Sequence, residues 1–546
     1  VGIGQQALFN NTTASNNTAV GYQAGYSTTI GGGNALLGYQ AGYAVTGINN
    51  VAIGNIASGS GTLAGNYNVV IGYSAGRVTT GADNTFVGAL SGNNNTSGNY
   101  NTAIGRESLT SNTTASNNTA VGYQSLYSNT TGSELTAVGR ESLKANTTGY
   151  YNASFGHQSM ISNTTGAENS AFGMTALYSN TTGNYNTALG RDSLRSNTTA
   201  SNNTAVGYQA GYSNTTGANH AVFGKGALYS NTTGAEHTAI GVDALNGNTT
   251  GNYNVALGVG AAKLNTTGSN NTALGYLALL SNTTASNNTA VGYQAGYNDT
   301  TGNTNTAIGW QSLFTNTTGS YITAIGGQAA YTFNNTSSYY GDVYVGYYAG
   351  RATSTGYNNA FVGGYAGSAN TTGNNNSAFG NGALVSNTTG SYNIAVGYNA
   401  LALNTTASNN TAVGYQAGYS GTTGAYNVAI GGNDGAGNSA LKTNTTGSFN
   451  NAVGNGALGL ATTASYNNAF GYQALKATTT GAENSAFGHG AAESNTTGNY
   501  NVAIGKSALA SNTTASNNTA VGYQAGYSNT TGGSNAAFGY QAHYTK

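Results

Sequence analysis

The sequence predicts an all-β fold, a parallel β-solenoid of about 32 rungs of 17 residues running as one continuous array over residues 1–546. Three observations carry this prediction. A Gly that follows an Ala-plus-hydrophobe pair recurs from Gly4 to Gly539 at 32 anchors, and 26 of the 31 intervals are 17 residues. The chain holds 85 Gly and no Pro, as expected where every rung must donate backbone N–H groups to its neighbours. The unit is also too short for helical repeats, which need about 33 to 47 residues, and its Gly, Thr and Val are poor helix formers.

Each unit is read in order from the stretch around Gly122. Thr119-Ala120-Val121 is a short strand, and Gly122-Tyr123-Gln124 is a turn. Ser125-Leu126-Tyr127 is read as a second strand, and Asn129-Thr130-Thr131-Gly132 as the turn that closes the coil. Asn and Thr at fixed positions stack as ladders between in-register rungs. Adjacent strand residues point to opposite faces. The larger residue of each pair is therefore expected inside, forming core columns such as Val121, Val138, Phe155, Phe172, Leu189 and Val206. The small Ala column is then left outside, where a partner subunit would cover it or where Ala, being small, tolerates exposure on a monomeric rod. At about 4.8 Å per rung the array would be a rod roughly 150 Å long. The segment Ser-Asn-Thr-Thr-Ala-Ser-Asn-Asn-Thr-Ala-Val-Gly begins identically at Ser111, Ser196 and Ser281, so whole groups of units have been copied.

Composition narrows the function. Charged residues are 5% of the chain, with 13 basic balanced by 13 acidic, which removes the electrostatic case for nucleic acid. No Cys is present, so disulfides and thiolate metal sites are excluded. No apolar run of about 18 residues exists, so no membrane insertion is expected. The 5 His and 13 carboxylates are scattered along the repeats, and the Gly residues open no helix. An enzyme with a convergent catalytic set or a nucleotide cofactor is not expected.

The unit Asn101-Thr102-Ala103-Ile104-Gly105, with Ser108 three positions on, resembles the YadA-like head repeat of trimeric autotransporter adhesins. It is also similar to repeats of phage tail-fibre-like and bacterial surface proteins, and the resemblance covers essentially the whole chain. It implies a left-handed β-roll, three chains side by side, an extracellular place on a cell surface or phage tail, and an adhesive or spacer task. The 17-residue unit is longer than the usual head repeat.

Several columns are candidate sites. Asn-Thr-Thr places N-x-Thr glycan acceptor sequences at Asn112, Asn129, Asn146, Asn163, Asn180, Asn197, Asn214 and Asn231 on what reads as an exposed turn, with turn geometry and ladders as the plainer explanation. The position after the anchor is mixed (Arg106, Tyr123, Arg140, His157, Met174, Arg191, Tyr208, Lys225, Trp310) and reads as solvent-facing, with cation–π contacts between rungs. His220 and His237 should stack one strand spacing apart beside Glu236, as a metal or pH-sensing group or as substitutes within a ladder. Two irregular units, Gly326 to Gly346 with Tyr339 and Tyr340, and Gly431 to Gly454 with Asp434, read as insertion loops, the second faintly calcium-like. The expected function is a structural extracellular fibre or adhesin segment that self-associates as a homotrimer or filament. The alternative is a carbohydrate- or ice-binding solenoid module.

Overall fold

The computed structural model describes residues 1–59, 61–335 and 341–544. The described residues contain strands, turns and bends but no helix, and therefore no helix long and apolar enough to cross a membrane. The backbone divides into two compact units, Val1–Asn270 and Asn271–Lys546. Each is a parallel β-solenoid, as predicted. In the first, sixteen strands from Gly2–Ile3 to Val255–Leu257 pair in sequence, each with the next coil. The second has another sixteen, from Thr272–Leu274 to Ala536–Phe538. The first unit adds a small two-stranded ladder, Ala44–Val45 with Thr62–Leu63.

Nearly every coil contributes a strand of three residues, and the register follows the repeat. Thr119, Ala120 and Val121 lie opposite Thr136, Ala137 and Val138, and the strands run parallel. Like therefore sits on like, and β-branched Thr and Val pack against their own copies one rung away. The anchor Gly ends the strand because no other residue fits. Gly122 has φ +133°, and a Cβ there would lie 2.5 Å from the Gly139 carbonyl oxygen of the next coil. Both the turn and the close approach of successive backbones require the missing side chain.

The second strand expected at Ser125-Leu126-Tyr127 is not a strand. Gln124 and Leu126 take left-handed backbone conformations, φ +54° and +51°, and the segment curls as a turn. It still bonds from coil to coil, with Leu126 N–H donating to the Ser142 carbonyl at 3.1 Å and Ser128 N–H to that of Lys144 at 3.0 Å. A left-handed Leu costs roughly 1–2 kcal/mol. Full burial of its side chain offsets that cost. Non-Gly residues seldom occupy this region, so propensity reasoning had no reason to expect them there.

The interior is formed by Ala and Leu, and the expected core columns are corrected. Ala103, Ala120, Ala137, Ala171, Ala188 and Ala205 are wholly buried, as are Leu109, Leu126, Leu143, Met160, Leu177 and Leu194. Val121, Val138, Phe155 and Val206 are only half-buried. Phe172 is 38% exposed and Leu189 48%. The reason is width. The Leu126 column and a column of Asn already occupy the far side of the coil, so the strand can send in little more than a methyl group. Where an aromatic residue does enter, the Leu position becomes Gly. Buried Phe86 faces Gly92 and buried Phe361 faces Gly367, so closely that a Cβ on either Gly would collide with the ring. This pairing of Phe with Gly six positions on was the sequence signal for the true core.

Candidate functional site

Two asparagine ladders run inside each unit. In the first, Asn129 Nδ2 donates to Asn112 Oδ1 at 3.1 Å and to the Gly132 carbonyl at 2.9 Å. Asn146, Asn163, Asn180, Asn197, Asn214 and Asn231 repeat both bonds, and Asn112 makes them to Asn95 and Ala115. All eight candidate glycan acceptors are fully buried. Each amide nitrogen has two hydrogens and uses both inside the coil. A sugar on any of them would break the ladder and could not fit, so the expected surface acceptors are corrected to interior groups. The neighbouring Thr hydroxyls continue the pattern outside, with Thr113 Oγ1 donating to the Thr130 carbonyl at 3.1 Å.

In the second ladder the side-chain oxygen accepts the backbone N–H of the next coil, as Asn101 Oδ1 does from Asn118 at 3.0 Å. His220 and His237 occupy this ladder. Their rings stack at 5.1 Å and 7°, as the repeat predicted. His237 N–H donates to His220 Nδ1 at 3.3 Å, and Asn254 N–H to His237 Nδ1 at 3.2 Å. With Nδ1 accepting, the proton sits on Nε2, where the Gly234 and Gly251 carbonyls receive it. A neutral imidazole thus reproduces both duties of Asn. Burial pushes the two groups down to about 3 and about 4, with His237 adding repulsion at His220. Glu236 is exposed on the outer surface while the rings are inside. No group of three metal-ligating side chains occurs among the described residues.

Two carboxylates also stand in ladder positions. Asp299 accepts from the Gly302 N–H at 3.0 Å and Asn305 Nδ2 at 3.0 Å, and burial raises it to about 7. Asp342 accepts from the Asn359 N–H at 2.7 Å and the Tyr344 hydroxyl at 3.3 Å, and burial again raises it to about 7. Tyr339 and Tyr340, singled out in the same irregular unit, lie outside the described residues.

The Asp434 loop is a clamp and not a calcium site. Its carboxylate accepts from the N–H groups of Ala436 and Asn438 at 2.9 and 3.0 Å, and from Gln473 Nε2 at 3.0 Å. Lys476 Nζ pairs with it at 3.3 Å. Burial pushes the carboxyl up, but the bonds from Gln473, Asn438 and Ala436 outweigh it and hold the group below the usual carboxylate range. Oxygens so supplied with donors offer a cation nothing.

Outside, the mixed column behaves as expected. Arg106 lies over the Tyr123 ring at 6.0 Å and Arg191 over Tyr208 at 5.8 Å. Elsewhere Tyr stacks on Tyr, as Tyr276 on Tyr293 and Tyr398 on Tyr415, both at 5.5 Å. These rings turn their faces to one another along the ladder and their edges to solvent. A sugar platform needs a free face.

The feature that sequence reasoning misplaced is the outer face of the sheet. Thr and the Val/Ile/Leu/Phe residue of each strand both face out, so every coil adds one large apolar side chain to an uncovered stripe. Ile104, Phe172, Leu189, Phe223 and Leu257 are exposed in the first unit, and Leu274, Phe379, Ile430, Phe487 and Ile504 in the second. The coil segments flanking the strands carry opposite charge. Exposed Glu134, Glu168 and Glu236 precede their strands, and exposed Arg106, Arg140, Arg191 and Lys225 follow theirs. Exposed Glu483 and Lys506 repeat this in the second unit. No family model matches the chain, and no curated protein matches it in sequence.

Proposed function

We propose that the chain is a structural segment of an extracellular fibre or adhesin, carried on a cell surface or phage tail, and that it works as a homotrimer. The observation that supports this reading best is the apolar stripe of Val, Ile, Leu and Phe on the outer sheet face, edged by acid on one side and base on the other. Rows of large apolar side chains on a soluble surface mark an interface. The charge order suits a parallel, head-to-tail arrangement around an axis, in which the acidic flank of one copy meets the basic flank of the next. Such a heterologous contact closes into a ring when the rotation allows it. Once assembled, the segment extends and presents a repetitive polar surface, where many weak contacts add through avidity.

Sedimentation equilibrium tests the assembly. Three chain masses are expected, with smaller species after Glu134→Lys, Glu168→Lys and Glu236→Lys together. A monomer at every concentration removes the proposal. Antibodies raised against the chain should label intact cells or virions, and labelling only after lysis removes the extracellular placement.

A further inference from the structure

Two tyrosines of the first unit are held ring on ring, away from the apolar stripe and its charged flanks. Tyr212 and Tyr229 occupy the column that follows the Leu position, 17 residues apart, so register alone places one over the other. Their ring centroids stand 4.9 Å apart with planes 7° from parallel. That is the shortest separation between tyrosines of successive coils among the described residues. Arg195, one coil earlier, fixes the stack. Its Nη1 donates to the Tyr212 hydroxyl oxygen at 2.9 Å, and its guanidinium carbon lies 5.6 Å from the centre of that ring. Both rings are half-buried, so solvent reaches them.

A phenol gives up an electron and its hydroxyl proton to a one-electron oxidant, and the radical carries spin density on the carbons ortho to the oxygen. Two such carbons on neighbouring rings couple. Holding the rings one coil apart turns an encounter between separate groups into an intramolecular step, which raises the effective concentration by orders of magnitude. The Cβ–Cγ torsion of Tyr is soft, so the rings can turn to bring their ortho carbons together. We propose that Tyr212 and Tyr229 form an oxidative cross-linking site, joined by one carbon–carbon bond when a haem peroxidase supplies oxidising equivalents from hydrogen peroxide. Each ring loses one electron and one proton, the two ortho carbons bond, and the hydrogen on each of those carbons passes to its oxygen to restore the phenol. The peroxide takes up the two electrons and two protons and leaves as two waters. The new bond ties two successive coils covalently and is independent of how copies of the chain associate.

The array carries its own controls. Tyr297, Phe314 and Tyr331 stack in the same column of the second unit at 5.1 Å, yet Phe has no hydroxyl to oxidise. Tyr100 and Tyr253 are well exposed, at 62% and 55%, but adjacent coils place Asp83, Asn117, Glu236 and Asn270 at their position. The folded chain, mixed with an isotope-labelled copy, is treated with a haem peroxidase and hydrogen peroxide, digested and mapped by mass spectrometry. The expected product is a Tyr212–Tyr229 peptide pair lighter by two hydrogens, with both peptides from the same isotopic chain. Tyr212→Phe and Tyr229→Phe should each remove it, and unfolding in urea before treatment should cut its yield by roughly tenfold or more. Phe314→Tyr should create a new pair with Tyr297 or Tyr331. Absence of the Tyr212–Tyr229 pair, or its formation between differently labelled chains, overturns the proposal. So do dominant cross-links at Tyr100 and Tyr253, or a Phe314→Tyr chain that gains no pair.

Discussion

A histidine stands in for asparagine in the inner ladder only while it is neutral. Protonating His220 or His237 would set an Nδ1–H against the backbone N–H that donates to it. Both groups titrate lower in the folded chain than the usual 6.5, at about 3 and about 4. As pH falls below 6.5 the unfolded chain takes up protons that the folded chain refuses, so stability is lost from there down to about 3. Asp299 and Asp342 have the opposite sign. Their folded values of about 7 exceed the ordinary 3.8, so the stability present below 3.8 is lost as pH rises towards 7. Each unit of displacement corresponds to about 1.4 kcal/mol, so either pair shifts local stability by several kcal/mol. Hydrogen exchange, corrected for its intrinsic pH dependence, reads this site by site. The His237 and Asn254 amides should open faster between pH 6 and 4, and His220→Asn with His237→Asn should abolish the effect. Equal acceleration in the double variant would sink the assignment. The stacking of these rings was legible from the 17-residue spacing, because register alone decides it. Their burial was not, because nothing in Asn-Thr-Thr or in the column before each strand says which way the coil turns its amides.

At the scale of one coil, the three-residue strand and its closing Gly were legible because a strict repeat must pair with itself. What the strand buries was not. Thr-Ala-Val alternates equally well with either face inward, and the choice rests on the width left by Leu126 and the ladder Asn on the far side. The left-handed Leu126 hid the coil's second wall, since non-Gly residues in that region leave no local pattern. The anchor has the opposite character, a residue whose need is fully local. Gly122→Ala places a methyl group against the Gly139 carbonyl and forces an L residue to φ +133°. The expected cost is about 2–4 kcal/mol, most of it strain. In a repeat array that cost falls on neighbouring coils. Exchange should therefore rise within one or two coils of Gly122 and stay unchanged further away. Uniform loosening of the unit would show that cooperativity is wider than nearest neighbours.

For the whole molecule, repetition made the fold class readable and the function hard to place. A single active centre stands out against a background, whereas here every surface column is its own background. The stripe on the outer sheet face was visible in the sequence as an apolar residue in nearly every unit, but it was assigned inward because large hydrophobes are the usual core. Structure reverses the two columns and strengthens the argument for company, since Phe and Leu need cover more than Ala does. The inner ladders have another consequence, for how the material ages. Asparagine deamidates through a cyclic imide that forms when its side chain is free to meet the following backbone nitrogen, most readily before Gly. Amides locked between coils cannot make that move, whereas Asn381 and Asn455 are exposed and each precedes a Gly. Peptide mapping after prolonged warm incubation should find aspartate and isoaspartate at those two sites while Asn129 and its copies stay intact. Conversion of the ladder residues at the same pace would mean that the coils breathe far more than their bonding implies. Endurance on the scale of months would then depend on a few outlying amides and hardly at all on the hundreds of residues stacked around them.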